Sequence, residues 1–398
     1  MTANDLLVGR IPVADHSADI PELGLMAGQA ANYYGRVRES ILMPHPRKVP
    51  PSFSSASLAE LCGIDKNRVK YLTSKGELPV GTSTGNGRAR MFSLEEAIAW
   101  IKAESKRAKR PKGARGRVLA VANFKGGVAK TATTVALAQA LTLRGRRVLL
   151  VDCDPQGSAT QLCGFAPDAE IEDEMTLLPL IYEKEASIQY AIKQTYWANL
   201  DLVPASTSLF DAEFEIPSKV LTDARHHFWD IVNKGIKPVL DQYDVVIFDT
   251  PPALSYLTIN ALLASDAILM PCPPEGLDFA SSTQFWRLFS EIAGAFPGMR
   301  ESKRYDFVNV VMTKARSIET SVTVQNWLHK AYGDRVLPFV IPESKIQVDA
   351  SAALCTIYDL AKADVRNSTY ARLREPLDLL ADYVDSQFSA AWTKEASK

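Results

Sequence analysis

The sequence predicts an α/β protein, a doubly wound and mostly parallel sheet, with a winged helix-turn-helix domain ahead of it. Apolar, β-branched-rich runs at 118–122, 147–151, 245–248, 267–270, 307–312 and 336–341 are bounded by turn residues, and helix-period segments lie near 130–143, 279–294 and 320–331. Uninterrupted apolar strands separated by helices make a parallel sheet covered on both faces. Between Ser52 and Trp100 the order is instead helix, tight turn, helix, hairpin, helix. Charge divides in the same place. Residues 1–116 carry 18 Lys and Arg against 11 Asp and Glu, whereas the rest carry 27 against 35. A basic front on an acidic body suggests a polyanion-binding module attached to something else.

Taken in order, residues 1–50 hold weak helical patterns broken by Pro12, Pro21, Pro44, Pro46 and Pro50. Met26–Met43 reads as one helix, with Ala30, Tyr34 and Val37 on one face that packs internally or against a second copy. Residues 51–103 form the second unit. Ser57-Leu-Ala-Glu60 reads as a capping box opening a helix from Leu58 to Cys62; Asp65 caps a second helix to about Ser74, and Gly76 ends it. Asn86-Gly87 marks a hairpin within Glu77–Phe92, and a second capping box, Ser93-Leu-Glu-Glu96, starts a helix through Trp100. Val69 and Leu72 face inward on the second helix. That leaves Lys66, Asn67, Arg68, Lys70 and Tyr71 outside for groove edges and phosphates, with Arg88 and Arg90 on the wing. The arrangement resembles MerR-like winged helices. Residues 104–116 are basic, with Pro111 and two glycines, and read as a solvated linker. Residues 117–398 hold the sheet, and no detailed expectation is formed for 165–243.

Several classes are excluded. No stretch approaches 18 uninterrupted apolar residues, and Met1–Ile11 has no basic region ahead of an apolar core. Five scattered cysteines without a CxxC pair fit a reduced cytoplasm and disfavour zinc or iron–sulfur sites. The amphipathic end Leu377–Asp385 has Asp378, Asp382 and Asp385 on its polar face, which anionic lipid would repel, so no membrane attachment is expected.

The chemistry sits after the strand at 118–122. Asn123-Phe-Lys-Gly-Gly-Val-Ala-Lys130-Thr131 leads into a helix, the setting in which backbone N–H groups and a helix N-terminus face a phosphate chain. Gly126, Gly127, Val128, Ala129 and Ala132 belong to that cradle; Lys130 is placed to reach phosphate, and the Thr131 hydroxyl to ligate Mg²⁺. The strict GxxxxGK[ST] pattern fails, because Phe124 and Ala129 replace its glycines and a second lysine, Lys125, heads the loop.

The run KGGVAKT resembles the deviant Walker A box of the ParA/MinD ATPases. Val151-Asp152-Cys-Asp154-Pro-Gln156 is similar to that family's DxDPQ box, and Val245-Val-Ile-Phe-Asp249-Thr-Pro-Pro252 to its Walker B strand. The resemblance covers residues 117–390 and, through Met270–Phe279, is nearest to the larger plasmid ParA proteins with an N-terminal DNA-binding domain. It implies ATP and Mg²⁺ as cofactors, and a homodimer closed around nucleotide. Lys125 would cross to the partner's nucleotide, Asp154 would position the attacking water, and Asp152 and Asp249 would lie near Mg²⁺, Asp249 through water. Lys125, Lys130 and Asp154 are thus the expected catalytic set. The adenine-side wall is expected near Thr313-Lys314 and Pro342-Glu343. Ala132 departs from the family's usual threonine.

The expected function is ATP-hydrolysing DNA partition in the cytoplasm on the nucleoid, with nonspecific DNA, an operator and a ParB-like centromere-binding protein as partners. The alternative is a transcriptional repressor for which nucleotide is mainly a conformational ligand. Asp154 separates the two, since a ligand sensor has no use for a water-positioning carboxylate.

Overall fold

The computed structural model describes residues 18–42, 48–85, 89–222, 227–360 and 367–397. Helix α1 (Ile20–Leu42) belongs to a unit of its own, residues 1–48. It starts six residues before the sequence suggests. Pro21 sits in the first turn, where its missing N–H costs nothing, and Asp19 and Glu22 accept each other's backbone N–H at 2.8 and 3.0 Å.

The second unit begins at Val49. Strand β1 (Phe53–Ser54) precedes α2 (Ser55–Cys62) and α3 (Lys66–Lys75); β2 (Thr82–Thr84), β3 (Ala89–Phe92) and α4 (Leu94–Glu104) follow. The true N-cap of α2 is Ser54, which accepts from the N–H of Ser57, so the helix opens three residues earlier than its capping box implied. Asp65, Gly76 and the Ser93–Glu96 box cap as expected. The three strands pair antiparallel in the order β1-β3-β2, over a small core of Leu58, Val69, Leu72, Phe92 and Trp100.

The large sheet contains β4 (Arg117–Val121), β5 (Val148–Asp152), β6 (Lys193–Gln194), β7 (Leu200–Val203), β8 (Val245–Asp249), β9 (Ala267–Cys272), β10 (Phe307–Ala315) and β11 (Val336–Pro342). Its order is β11-β10-β9-β4-β8-β5-β7-β6, parallel except at the β6–β7 edge. Alternation explains the continuous apolar strands. Val118 and Ala120 pack with Leu149, Val151, Val246 and Phe248 on one face, while Leu119 and Val121 pack with Val148, Leu150, Val245 and Ile247 on the other. Helices α5 (Lys130–Thr142) and α6 (Ser158–Leu162) follow β4 and β5; α7 (Leu178–Ile181), α8 (Ala212–Thr222), α9 (Ile231–Ile236) and α10 (Tyr256–Ala264) lie in the next stretch; α11 (Gly276–Ala295), α12 (Met299–Ser302), α13 (Glu319–Tyr332), α14 (Lys345–Ala352) and α15 (Asn367–Ala396) complete the chain.

One expectation is corrected. Residues 105–116 are not a solvated tether. Arg110 donates to the carbonyls of Leu240, Asp241 and Tyr243 and pairs with Asp244 at 3.2 Å. Arg115 pairs with Asp266 at 2.6 Å, and Arg107 with Asp382 at 2.8 Å. Helix α4 is fixed on two sides: Trp100 and Ile101 join the small core, whereas Leu94 and Ile98 join the large one. Charge composition alone cannot show that acids and free carbonyls wait on the facing surface. The acidic stripe of α15 is spent the same way, because Arg144 takes Asp382 at 2.8 Å, Arg146 takes Asp385 at 2.6 Å and Arg374 takes Asp378 at 2.9 Å. Among the described residues no helix is long and apolar enough to cross a membrane.

Candidate nucleotide site

Strand β4 ends on the sheet's central axis, and Asn123 anchors the loop that leaves it. Its buried side chain donates to the Pro271 carbonyl at 2.8 Å and accepts the Lys125 N–H at 3.1 Å. The loop then turns through two left-handed residues, Gly127 (φ 74°) and Ala129 (φ 68°), and α5 starts at Lys130. At Ala129, where the strict motif has glycine, the Cβ is strained. Thr313 of β10 fixes the loop from outside by donating to the Val128 carbonyl at 2.9 Å.

The two lysines are placed differently. Lys130, 6% exposed, folds back over the loop and donates to the Lys125 carbonyl at 2.9 Å. Burial lowers its pKa, and the charges of Asp249 and Asp154 oppose that. Lys125, its side chain 35% exposed, leaves the loop toward α11 and pairs there with the buried Asp278 at 2.5 Å.

Two carboxylates close the floor. Asp152 and Asp249 are register partners at the ends of β5 and β8, and both are fully buried. Asp249 accepts the hydroxyls of Thr131 at 2.7 Å and Thr134 at 3.0 Å. Asp152 accepts the Thr160 hydroxyl at 2.7 Å and the Asp154 N–H at 3.1 Å. Burial pushes both carboxyls above their ordinary range, and the Asp249 charge adds to the rise at Asp152. A hard divalent cation beside Thr131 and Asp249 fits this surplus of buried negative oxygen. Among the described residues no group of three or more His, Cys, Asp or Glu side chains converges on a metal position. Such a cation would therefore be completed by phosphate and water, as Mg²⁺ commonly is. Asp154, on the loop after β5, is buried and accepts the Gln156 N–H at 3.0 Å.

The expected adenine side lies beside the loop. A cavity of about 90 Å³ is lined by Ala129, Ala132, Thr313, Lys314, Pro342 and Glu343 among others. The structure thus brings together every expected residue of the phosphate loop, both strand-end aspartates and Pro342. Sequence reasoning missed Asn123, Thr134 and the role of Asp278 as the partner of Lys125. An asparagine directly after an apolar strand and a threonine one turn beyond Lys130 were readable signals for the first two.

On the second surface, Lys66, Asn67, Lys70 and Tyr71 are exposed on α3 while Val69 and Leu72 are buried, as the periodicity requires. Arg68 is exposed but held by Glu104, its Nε donating at 3.1 Å. Arg90 donates to the Val80 carbonyl at 2.7 Å, and Arg88 lies outside the described residues.

A central parallel strand, a glycine loop ending in Lys-Thr at a helix N-terminus, and a carboxylate at the end of the neighbouring strand define a P-loop nucleotide-binding protein. A family model described as an AAA domain matches residues 116–296. The chain is 30% identical over 345 residues to protein SopA of Escherichia coli, covering 82% of this chain and 85% of that protein. It is 32% identical over 229 residues to the sporulation initiation inhibitor protein Soj of Bacillus subtilis, covering 58% and 85%. Among solved structures, one described as a partition protein superposes with a TM-score of 0.63 at 20% identity, over 93% of this chain and 99% of that one. A cobyrinic acid a,c-diamide synthase from Mycobacterium smegmatis, with bound ATP analogue and magnesium, gives 0.50 at 30% identity, over 61% and 91%. The chain belongs to the ParA/MinD-type family, whose ParA, Soj and SopA members it resembles.

Proposed function

We propose that this protein is an ATP-hydrolysing partition protein that closes into a dimer around nucleotide and binds DNA through that assembly. The observation that carries this reading is the division of labour between two lysines on one loop. Lys130 is buried inside the cradle, where a single chain can use it, whereas the ammonium of Lys125 lies on Asp278 of α11 rather than over the loop. A cation directed out of its own site is suited to a phosphate presented by a second copy, in the role an arginine finger plays elsewhere.

Within one chain the loop N–H groups and Lys130 bind phosphate, Thr131 and Asp249 hold Mg²⁺, and the Ala129–Pro342 cavity takes the base. Mg²⁺ would neutralise charge on the phosphates. Asp154, buried beside the loop, orients the water that attacks the terminal phosphate. The exposed Lys66, Asn67, Lys70 and Tyr71 of α3, with Arg90 on the hairpin, form the proposed operator-reading face of a winged helix-turn-helix spanning residues 51–103. The partners proposed are DNA and a ParB-like centromere-binding protein.

The test is ATP turnover together with DNA affinity against salt. Asp154→Ala is expected to bind ATP yet turn over at least about a hundredfold more slowly, the usual scale for losing a general base. Wild type is expected to bind nonspecific DNA with a steeper salt dependence in ATP and Mg²⁺ than in ADP, because two copies neutralise more phosphates. Equal slopes in the two states, with normal turnover in Asp154→Ala, would refute the proposal.

A further inference from the structure

Strands β9 and β10 enter the sheet side by side, and at their N-terminal ends, opposite the phosphate loop, the covering helices leave space. Between α11, α12 and these strands lies a cavity of about 570 Å³. Leu263, Ile268, Trp286, Phe289, Val308 and Val310 give it apolar walls. Three further lining residues are cationic, Arg300, Lys303 and Arg335, and among the described residues no acid lines it. Lys303 is fixed in place, its ammonium donating to the carbonyls of Leu263 and Ser265 at 2.6 Å each. Asp266, the acid nearby, is already held by both terminal nitrogens of Arg115 at 2.6 and 2.8 Å. Arg300 and Arg335 form no ion pair among the described residues, and Arg335 reaches only the Val308 carbonyl at 3.4 Å.

An apolar cavity of this size with a few convergent polar groups is the usual form of a small-molecule site. Two guanidiniums without carboxylate partners, next to apolar walls, specify the ligand further, since guanidinium–carboxylate pairs are strong and directional. We propose that this cavity binds a small amphipathic carboxylate, its aliphatic chain against Trp286 and Phe289 and its head between Arg300 and Arg335. The cavity lies at the opposite end of the strands from the phosphate loop, so this binding is independent of the nucleotide reading.

The test is calorimetric titration of the full-length protein with dodecanoate below its micellar range, and with dodecanol as the uncharged homologue. Saturable one-to-one binding of dodecanoate is expected, with dodecanol at least about tenfold weaker, the scale of one charge-assisted contact. Arg300→Ala with Arg335→Ala is expected to bring dodecanoate down to the dodecanol level. Ala293→Phe, which fills the cavity, is expected to abolish binding while leaving ADP affinity unchanged. Should that variant melt at a lower temperature than wild type, Ser290→Trp at the exposed rim occludes the same space without entering the core. No saturable binding by wild type, equal affinity for the alcohol, or full affinity in a folded occluding variant would overturn the assignment.

Discussion

Asp278→Asn isolates the contact that holds Lys125 in its own subunit. The Lys125–Asp278 pair is 2.5 Å long; the carboxylate side is 3% exposed and the lysine 35%. If Lys125 swings to a partner's phosphate, a buried carboxylate is left without its cation. Breaking a fully buried pair costs about 3–5 kcal/mol; solvent around the lysine head reduces that here to about 2 kcal/mol. Asparagine keeps the shape and one acceptor but carries no charge, so its release costs about 1 kcal/mol, that of an ordinary hydrogen bond. The saving of about 1 kcal/mol occurs twice in a two-fold dimer, giving about 2 kcal/mol, or roughly thirtyfold tighter association. The assay is the dimer dissociation constant in ATP and Mg²⁺, by sedimentation over a dilution series, in an Asp154→Ala background that keeps the nucleotide intact. Unchanged or weaker association in Asp278→Asn would refute the idea that Asp278 restrains Lys125.

Three further outcomes are expected. Ala129→Gly relieves a left-handed alanine, a strain of roughly 1–2 kcal/mol, less the extra chain entropy of glycine, so chemical denaturation is expected to show a net gain of about 0.5–1 kcal/mol. Asp382→Asn is expected to lose about 1 kcal/mol at pH 7, since its side chain is 43% exposed. Burial raises the Asp382 pKa, but hydrogen bonds and charge from Arg144 and Arg107 outweigh it and hold the carboxyl below its ordinary 3.8. A depressed acid stabilises above that value, so the difference between wild type and variant is expected to vanish as pH falls below it in acid-unfolding curves. Asn67→Ala is expected to weaken operator binding by about 1–3 kcal/mol in footprinting titrations, with DNA-free ATP turnover unchanged.

The strands and the phosphate loop were legible because their signals are local. Apolar runs buried on both faces, and a loop whose glycines and lysines lie consecutively, need no tertiary information. What was not legible depended on distant partners. Arg110 looks like a solvated linker charge until Leu240, Asp241 and Tyr243 present their carbonyls to it. Asp378, Asp382 and Asp385 look like a solvated stripe until Arg374, Arg144 and Arg146 reach them. Strand β7, four residues long with a polar Asp201 inside it, falls below what alternation can mark. Lys125 was identified by its place in the loop, yet its contact with Asp278, 153 positions away, had no sequence signal.

The central claim, that Lys125 acts on the nucleotide of a second copy, is tested most directly by mass in solution. Residues 49–398 form one compact unit without α1. Light scattering of that fragment carrying Asp154→Ala, in ATP and Mg²⁺, is expected to give twice the monomer mass, returning to monomer in ADP. Adding Lys125→Ala is expected to leave a monomer that still binds ATP. A dimer that persists without Lys125, or ATP affinity lost together with that lysine, would contradict the account.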